Sequence, residues 1–377
     1  MRIFLRAVFI GLLLAAVLLA AGCGSTDTST SPSLGLDIEA RIDQLVNNAM
    51  SFSNIPGVIV GVWVPGQGSY EKAYGMADIE TGEPMQTSHR VRIASITKTY
   101  VATVVLQLVD EERLSLDQTI EEFLPQIPDA RIITIRQLLN HSSGIYDYED
   151  QAFIEEVAEN PLKSWKPEEL IALGISRSGN FPPGSSSAYS NTNYIALGMI
   201  VQQITGSRLE DEIKNRIIEP LDLFNTDFPA GPDMTGQYSH GYMDSGTSGE
   251  LRDITRMDMS WDWAAGGMTS NLNDLKVWAE ALGAGRLISQ AMQNERLIWM
   301  SMPEFGNVAS YGLGILKIGP LIGHTGADPG YNSAMYYLPE KEAAIVVLFN
   351  YCSGIDIVDV TSLGIGKALF PDVSLPF

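Results

Sequence analysis

The chain has 377 residues, 45% hydrophobic and 18% charged, enough to bury a substantial core as one large domain or two closely packed ones. Its 24 Lys and Arg stand against 45 Asp and Glu, and the resulting formal charge of -21 repels phosphate backbones and anionic headgroups, which argues against a nucleic-acid partner. Solubility in an exposed or salty setting accounts for the acidity equally well.

Arg2 and Arg6 precede a nearly uncharged run over residues 7–22, and Cys23 opens a small polar stretch that reaches Pro32. A basic end, an apolar stretch and a small-residue junction read as a secretion signal, and the run is short for a membrane span of about 20 residues. Leu19-Ala20-Ala21-Gly22-Cys23 resembles the processing box of bacterial lipoproteins. The expectation is therefore a leader over residues 1–22 and a linker over 23–35 tethered to the membrane through lipidated Cys23. A catalytic domain over residues 36–377 then lies outside the cytoplasm in the bacterial envelope, and it is expected to be monomeric. With Cys23 lipidated, Cys352 has no intramolecular disulfide partner, and it is expected to be a small buried filler.

Apolar positions near a helical repeat place the first helix over residues 36–50. Residues 57–64 form a run too apolar for a half-exposed strand, Gly66-Gln67-Gly68 turns the chain, and residues 70–76 return as the second strand of a hairpin. Helical segments are expected over residues 97–109, from Ser115 as a cap, from Thr134, and over 194–204, 208–218 and 272–282. Strands resume over 311–317, 332–338 and 343–349, and a closing helix over 355–370 is stopped by Pro371. The fold class is thus α+β: an antiparallel sheet flanked by helices, its sheet lobe made from residues 36–95 and 300–377. A mainly helical lobe, residues 96–299, is inserted between, and the cleft between lobes is the default ligand site.

Three polar pieces carry chemistry. Ser95 precedes an apolar helix and Lys98 follows one turn later on the same side, which supplies a hydroxyl, a base and helix-start N–H groups. Lys98 serves as a base only if its pKa is lowered. Taken alone, the pair reads equally well as an N-cap and a solvent-facing lysine. Tyr189-Ser190-Asn191 follows the loop Pro182-Pro183-Gly184, where Tyr189 can pass a proton and Asn191 can hold Lys98, contact a substrate carbonyl or cap the next helix. Gly323-His324-Thr325-Gly326-Ala327 offers a small-residue strand edge for a substrate backbone, and the Ala327 and Ser95 N–H groups can form an oxyanion hole. A plain glycine-rich turn is the alternative. His89 and His240 join no such grouping, and four dispersed histidines give no metal signature and no cofactor.

In this order the three pieces resemble the serine penicillin-recognising enzymes, with serine and lysine three residues apart and a Lys-Thr-Gly-like strand. The chain is most similar to the group of class C beta-lactamases, D-alanyl-D-alanine carboxypeptidases of that fold, D-aminopeptidases and related carboxylesterases. Leu138-Leu139-Asn140-His141-Ser142-Ser143-Gly144, Pro183-Gly184 and Ala265-Gly266-Gly267-Met268 extend the likeness over most of residues 58–369. The resemblance implies a beta-lactamase/transpeptidase-like fold in which Ser95 is acylated. Lys98 and Tyr189 share the base and acid work, Asn191 fixes Lys98 and contacts substrate, and His324, Thr325 and Gly326 shape the substrate side. It assigns His141 to organising a loop and not to acting as a base.

His324 stands where lactam-hydrolysing members typically carry lysine. An ordinary histidine is mostly neutral at pH 7, which disfavours a dedicated beta-lactamase. The leading expectation is a D-alanyl-D-alanine carboxypeptidase acting on peptidoglycan stem peptides, with a charged His324 as one way to bind a substrate carboxylate. A short-chain esterase and a D-amino-acid amidase or peptidase are the alternatives. A ligand-binding protein or a structural envelope protein of this fold is disfavoured by the complete set of Ser95, Lys98 and Tyr189.

Overall fold

The computed structural model describes residues 33–245, 249–305, 308–352 and 357–376. The leader and Cys23 lie outside them. Its centre is a nine-stranded antiparallel sheet contributed by both ends of the described chain. The strands are β1 (Gly57–Val64), β2 (Gly68–Asp78), β3 (Glu83–Pro84), β4 (Met300–Ser301), β5 (Ala309–Tyr311), β6 (Leu316–Ile318), β7 (Leu321–Asp328), β8 (Tyr331–Leu338) and β9 (Ala343–Phe349). They lie in the order β3-β2-β1-β9-β8-β7-β6-β5-β4. Helices flank the sheet and a helical insertion separates its two halves, the architecture of the beta-lactamase/transpeptidase fold.

Every residue of β1, β8 and β9 is buried, because both faces of the central sheet are covered. Val58, Val60 and Val62 pack on one face, and Ile59 and Trp63 on the other, as a two-residue side-chain period demands. The first face is closed by α1 (Leu36–Ser53), which buries Ile42, Val46 and Ala49 at helical spacing. Fully burying side chains such as Ile42 and Val46 is worth about 1.5–3 kcal/mol each. Helix α2 (Thr97–Asp110) belongs to the core on the opposite face, so Lys98, near its start, begins in a dry interior.

Two expectations change. The helix anticipated at Ser115 does not form, because the surrounding backbone pairs elsewhere: Ile120 N–H donates to Ile133 O, Ile135 N–H to Gln118 O, and Arg136 N–H to Leu116 O. The helix start lies instead at Thr134, where a reciprocal box with Gln137 caps α3 (Ile135–Leu139). The run over residues 311–317 is not one strand. It folds back between β5 and β6, where Gly314 adopts φ +71° and lies so near α2 that a Cβ would sit 2.0 Å from that of Ala102. Cys352 is half-buried, not a buried filler.

Candidate active site

Ser95 sits in a short 3-10 turn, Ala94–Ile96, that runs directly into α2. Ala94 has φ +48°, a strained value for a residue with a Cβ, and it sets the sharp approach of β-structure to helix on which the serine is presented. One turn later Lys98 is fully buried, its Nζ 2.9 Å from Ser95 Oγ and 2.8 Å from the carbonyl of Ala265. Burial pushes the Lys98 ammonium below its ordinary pKa, against the opposing pull of Asp262, Glu149, Asp147 and Asp328.

Tyr189 lines the same cavity as Ser95, and its ring lies 4.9 Å from Lys98 Nζ. Burial raises its pKa well above the usual value for a phenol, which holds Tyr189 as the neutral phenol. Its position is braced by His141, whose ring packs 4.4 Å from it. The His141 carbonyl accepts from Ala188 N–H at 3.0 Å, and its Nδ1 accepts from Ser190 N–H at 3.2 Å. His141 is completely buried with a pKa well below the ordinary one, which leaves it a neutral organiser.

Asn191 opens α4 (Asn191–Thr205). Its backbone N–H and its Nδ2 both donate to Asp147, at 3.0 and 3.3 Å, while its buried Oδ1 has no partner. Lys98 is therefore held by Ala265, and the Asn191 carbonyl oxygen remains open to a substrate N–H. On β7, Thr325, Gly326 and Ala327 border the same cavity as Ser95. β6 pairs only with Leu321, Ile322 and Gly323, so the β7 edge from His324 onward is not paired by it. Gly326 allows that edge to approach the turn that carries Ser95, since a Cβ there would lie 2.3 Å from Ile93 O.

His324 departs from the expectation of an adjustable charge. It is 3% exposed, its Nδ1 lies 2.5 Å from Thr325 O, and its Nε2 lies 2.8 Å from the Tyr311 hydroxyl. The carbonyl requires a proton on Nδ1, so Tyr311 donates to Nε2. Burial, reinforced by the nearby Lys98, pushes its pKa down to about 3. His324 is thus neutral from weakly acid to alkaline pH and supplies no cation for a carboxylate. His324→Gln is expected to leave the midpoint of the acid limb of kcat/KM between pH 5 and 8 unmoved; a displaced midpoint in a pH-rate series would contradict this.

Sequence reasoning missed an acidic group around Lys98. Glu149 borders the cavity with an unpartnered Oε1, and Asp262 Oδ1 and Asp328 Oδ2 are likewise buried without partners. Burial, then Asp262 and Asp147, raises the Glu149 carboxyl well above its usual range; burial, helped by Asp262 and opposed by the Glu149 and Asn191 N–H groups and by Lys98, raises Asp147 to about 6. The remaining cavity, about 700 Å³, has an apolar stretch and, among the described residues that line it, no lysine or arginine. Among the described residues no group of three or more His, Cys, Asp or Glu side chains could hold a metal ion.

The beta-lactamase family model matches residues 42–360. A crystal structure of a D-stereospecific amidohydrolase from Streptomyces sp. superposes with a TM-score of 0.79 at 30% identity, covering 89% of this chain and 99% of that one. The D-amino acid amidase of Ochrobactrum anthropi SV3, solved with D-phenylalanine, gives a TM-score of 0.80 at 27% identity with the same coverage. D-aminopeptidase from Cereibacter sphaeroides is 27% identical over 329 residues, which is 84% of this chain but only 60% of the length of that protein.

Proposed function

Since the chain belongs to the beta-lactamase family, as a hydrolytic enzyme related to penicillin-binding proteins and D-amino-acid amidases, we propose that it hydrolyses amides or peptides of D-amino acids bearing a free α-amine. The observation that carries this reading is the charge character of the cavity: Glu149 lines it, and among the described lining residues there is no lysine or arginine. A carboxypeptidase must seat the terminal carboxylate of its substrate, and neutral His324 offers no counter-charge. An aminoacyl substrate instead brings an ammonium. Beside Glu149 that cation stabilises the ionised carboxylate, which burial and neighbouring acids otherwise keep protonated. The amidase alternative therefore displaces the D-alanyl carboxypeptidase reading. Its D-selectivity rests on the names of the similar proteins.

In the proposed reaction Lys98, as the neutral amine, takes the Ser95 hydroxyl proton while Oγ attacks the amide carbon. The oxyanion rests on the Ser95 and Ala327 N–H groups, and loss of one such donor costs about 3 kcal/mol. Tyr189 relays the proton to the departing nitrogen, the C–N bond breaks and the amine leaves neutral. Water then attacks the acyl-enzyme with Lys98 and Tyr189 restoring Ser95. The basic and apolar run over residues 1–22 supports an exported domain, with Cys23 proposed as its lipid tether.

Competing D-alanine amide, N-acetyl-D-alanine amide, D-alanyl-D-alanine peptide, a short acyl ester and a cephalosporin against one another tests the reading. The free-amine amide should be turned over best, and Glu149→Gln should lower its kcat/KM roughly 10- to 100-fold, the value of a charged hydrogen bond. N-acetyl substrate should be little affected by that substitution. Preferential release of D-alanine from the acidic peptide terminus would restore the carboxypeptidase.

A further inference from the structure

The cavity has two chemically different ends. Glu149 and Asn191 come from the helical side, where they share the surroundings of Lys98 and Asp147. At the other end Phe305, Val308, Leu316 and Ile318 come from the outer strands and their connection, and Val360 and Leu363 from the closing helix, Ile357–Leu369. Leu316, Ile318 and Leu363 belong to the core on the sheet face opposite that of α2. The cavity therefore passes from one face of the sheet to the other around the β7 edge that carries Thr325, Gly326 and Ala327, with Ser95 beside the crossing.

This geometry fixes which part of a substrate reaches the apolar end, on the reading that Glu149 takes the α-ammonium. With the amine on the helical side and the scissile carbon at Ser95, the group beyond the carbonyl points toward Phe305, Val308 and Val360. We propose that this end is a leaving-group subsite selecting D-aminoacyl compounds whose departing amine carries a bulky apolar group and no free carboxylate: alkyl or aryl amides, or a following hydrophobic residue that is itself blocked. A simple carboxamide leaves this end empty. Among the described residues that line this end there is no lysine or arginine for a free carboxylate to meet, whereas Asp359, which accepts a hydrogen bond from the Tyr336 hydroxyl at 2.9 Å, does line it.

The subsite is tied to the catalytic segment. Glu304, beside Phe305, accepts the Tyr189 N–H at 2.6 Å, and the Ser187 hydroxyl donates to Ser301 O at 2.5 Å. Phe305 is thereby held in register with the residue that delivers the proton to the leaving nitrogen. Placing an apolar group against it orients that nitrogen as well as adding affinity. Val308 and Val360 are 53% and 62% exposed, a cost in water that an apolar leaving group removes.

The test uses the full chain and a series of D-alanyl n-alkylamides from methyl to hexyl, whose leaving amines have nearly equal basicity. kcat/KM should climb about three- to fourfold per buried methylene until the space is filled. In Val308→Asp and Val360→Asp, exposed positions that should keep the fold by circular dichroism, the hexyl-to-methyl ratio should collapse. The ratio of D-leucine amide to D-alanine amide should not follow it. A flat series in the unsubstituted protein, or a ratio that survives both substitutions, overturns the proposal. So does collapse of the D-leucine preference in its place, which would put the acyl side chain in the subsite. The same series on N-acetyl-D-alanine separates the two readings: loss of discrimination against it overturns amine recognition and this inference together, whereas retained discrimination with a flat series overturns this inference alone.

Discussion

Ser95→Ala is expected to lower kcat by about five orders of magnitude and to abolish the stoichiometric adduct that a fluorophosphonate or a reactive penicillin forms with the protein. The expectation follows from how completely the activation depends on one atom. Ser95 Oγ is the hydroxyl that Lys98 Nζ approaches at 2.9 Å, in the cavity that Tyr189 also lines. Thr325 also borders the cavity, but its hydroxyl is not among the partners of Lys98. Removing Oγ leaves the Lys98 contact to Ala265 in place, so stability should change by no more than about 1 kcal/mol. Intact mass after labelling, read beside the melting temperature, decides the matter. An adduct that persists in a folded Ser95→Ala protein would assign the nucleophile elsewhere.

What the sequence disclosed depended on whether the signal was local. β1 and β9 have the bounds that their uninterrupted apolar runs predict, because a strand buried on both faces announces itself by composition. The three polar pieces were also legible, since each is a short polar interruption beside an apolar element, and the structure brings Ser95 and Tyr189 together around Lys98. The break between β5 and β6 was hidden because Gly312 and Gly314 can sit in a strand or leave it, and only the proximity of α2 decides. The charge state of His324 was hidden for a similar reason. Its ordinary pKa is a property of the residue, whereas the fall to about 3 is a property of burial and of Lys98. Least legible was the acidic surround of Lys98. Asp147, Glu149, Asp262 and Asp328 come from three separate stretches of a chain with 45 acidic residues, and nothing marks these four until the fold gathers them. The Tyr146-Asp147-Tyr148-Glu149-Asp150 run after Gly144 was the nearest available sign.

That surround makes Lys98 the second decisive position. Its charged form is penalised by burial, and favoured by four carboxyls that are themselves pushed toward neutrality. Burial outweighs the rest, so Lys98 loses its proton below the ordinary lysine pKa, as the proposed base must. The sign of the pH dependence follows: kcat/KM should rise with pH as Lys98 deprotonates. It should fall again above about pH 8, where a substrate α-amine loses the charge that Glu149 recognises. Lys98→Met should lower kcat by about three to four orders of magnitude. Lys98→Arg is the sharper test, because arginine keeps the cation and cannot give up its proton at any working pH. If Lys98 acts as the base, the arginine protein should be as impaired as the methionine protein. Substantial turnover by Lys98→Arg would mean that the buried cation, and not proton transfer, is what Ser95 requires, and the base would then have to be Tyr189. Its strongly raised pKa opposes that role, since a phenol held neutral has no lone-pair charge to offer a serine proton.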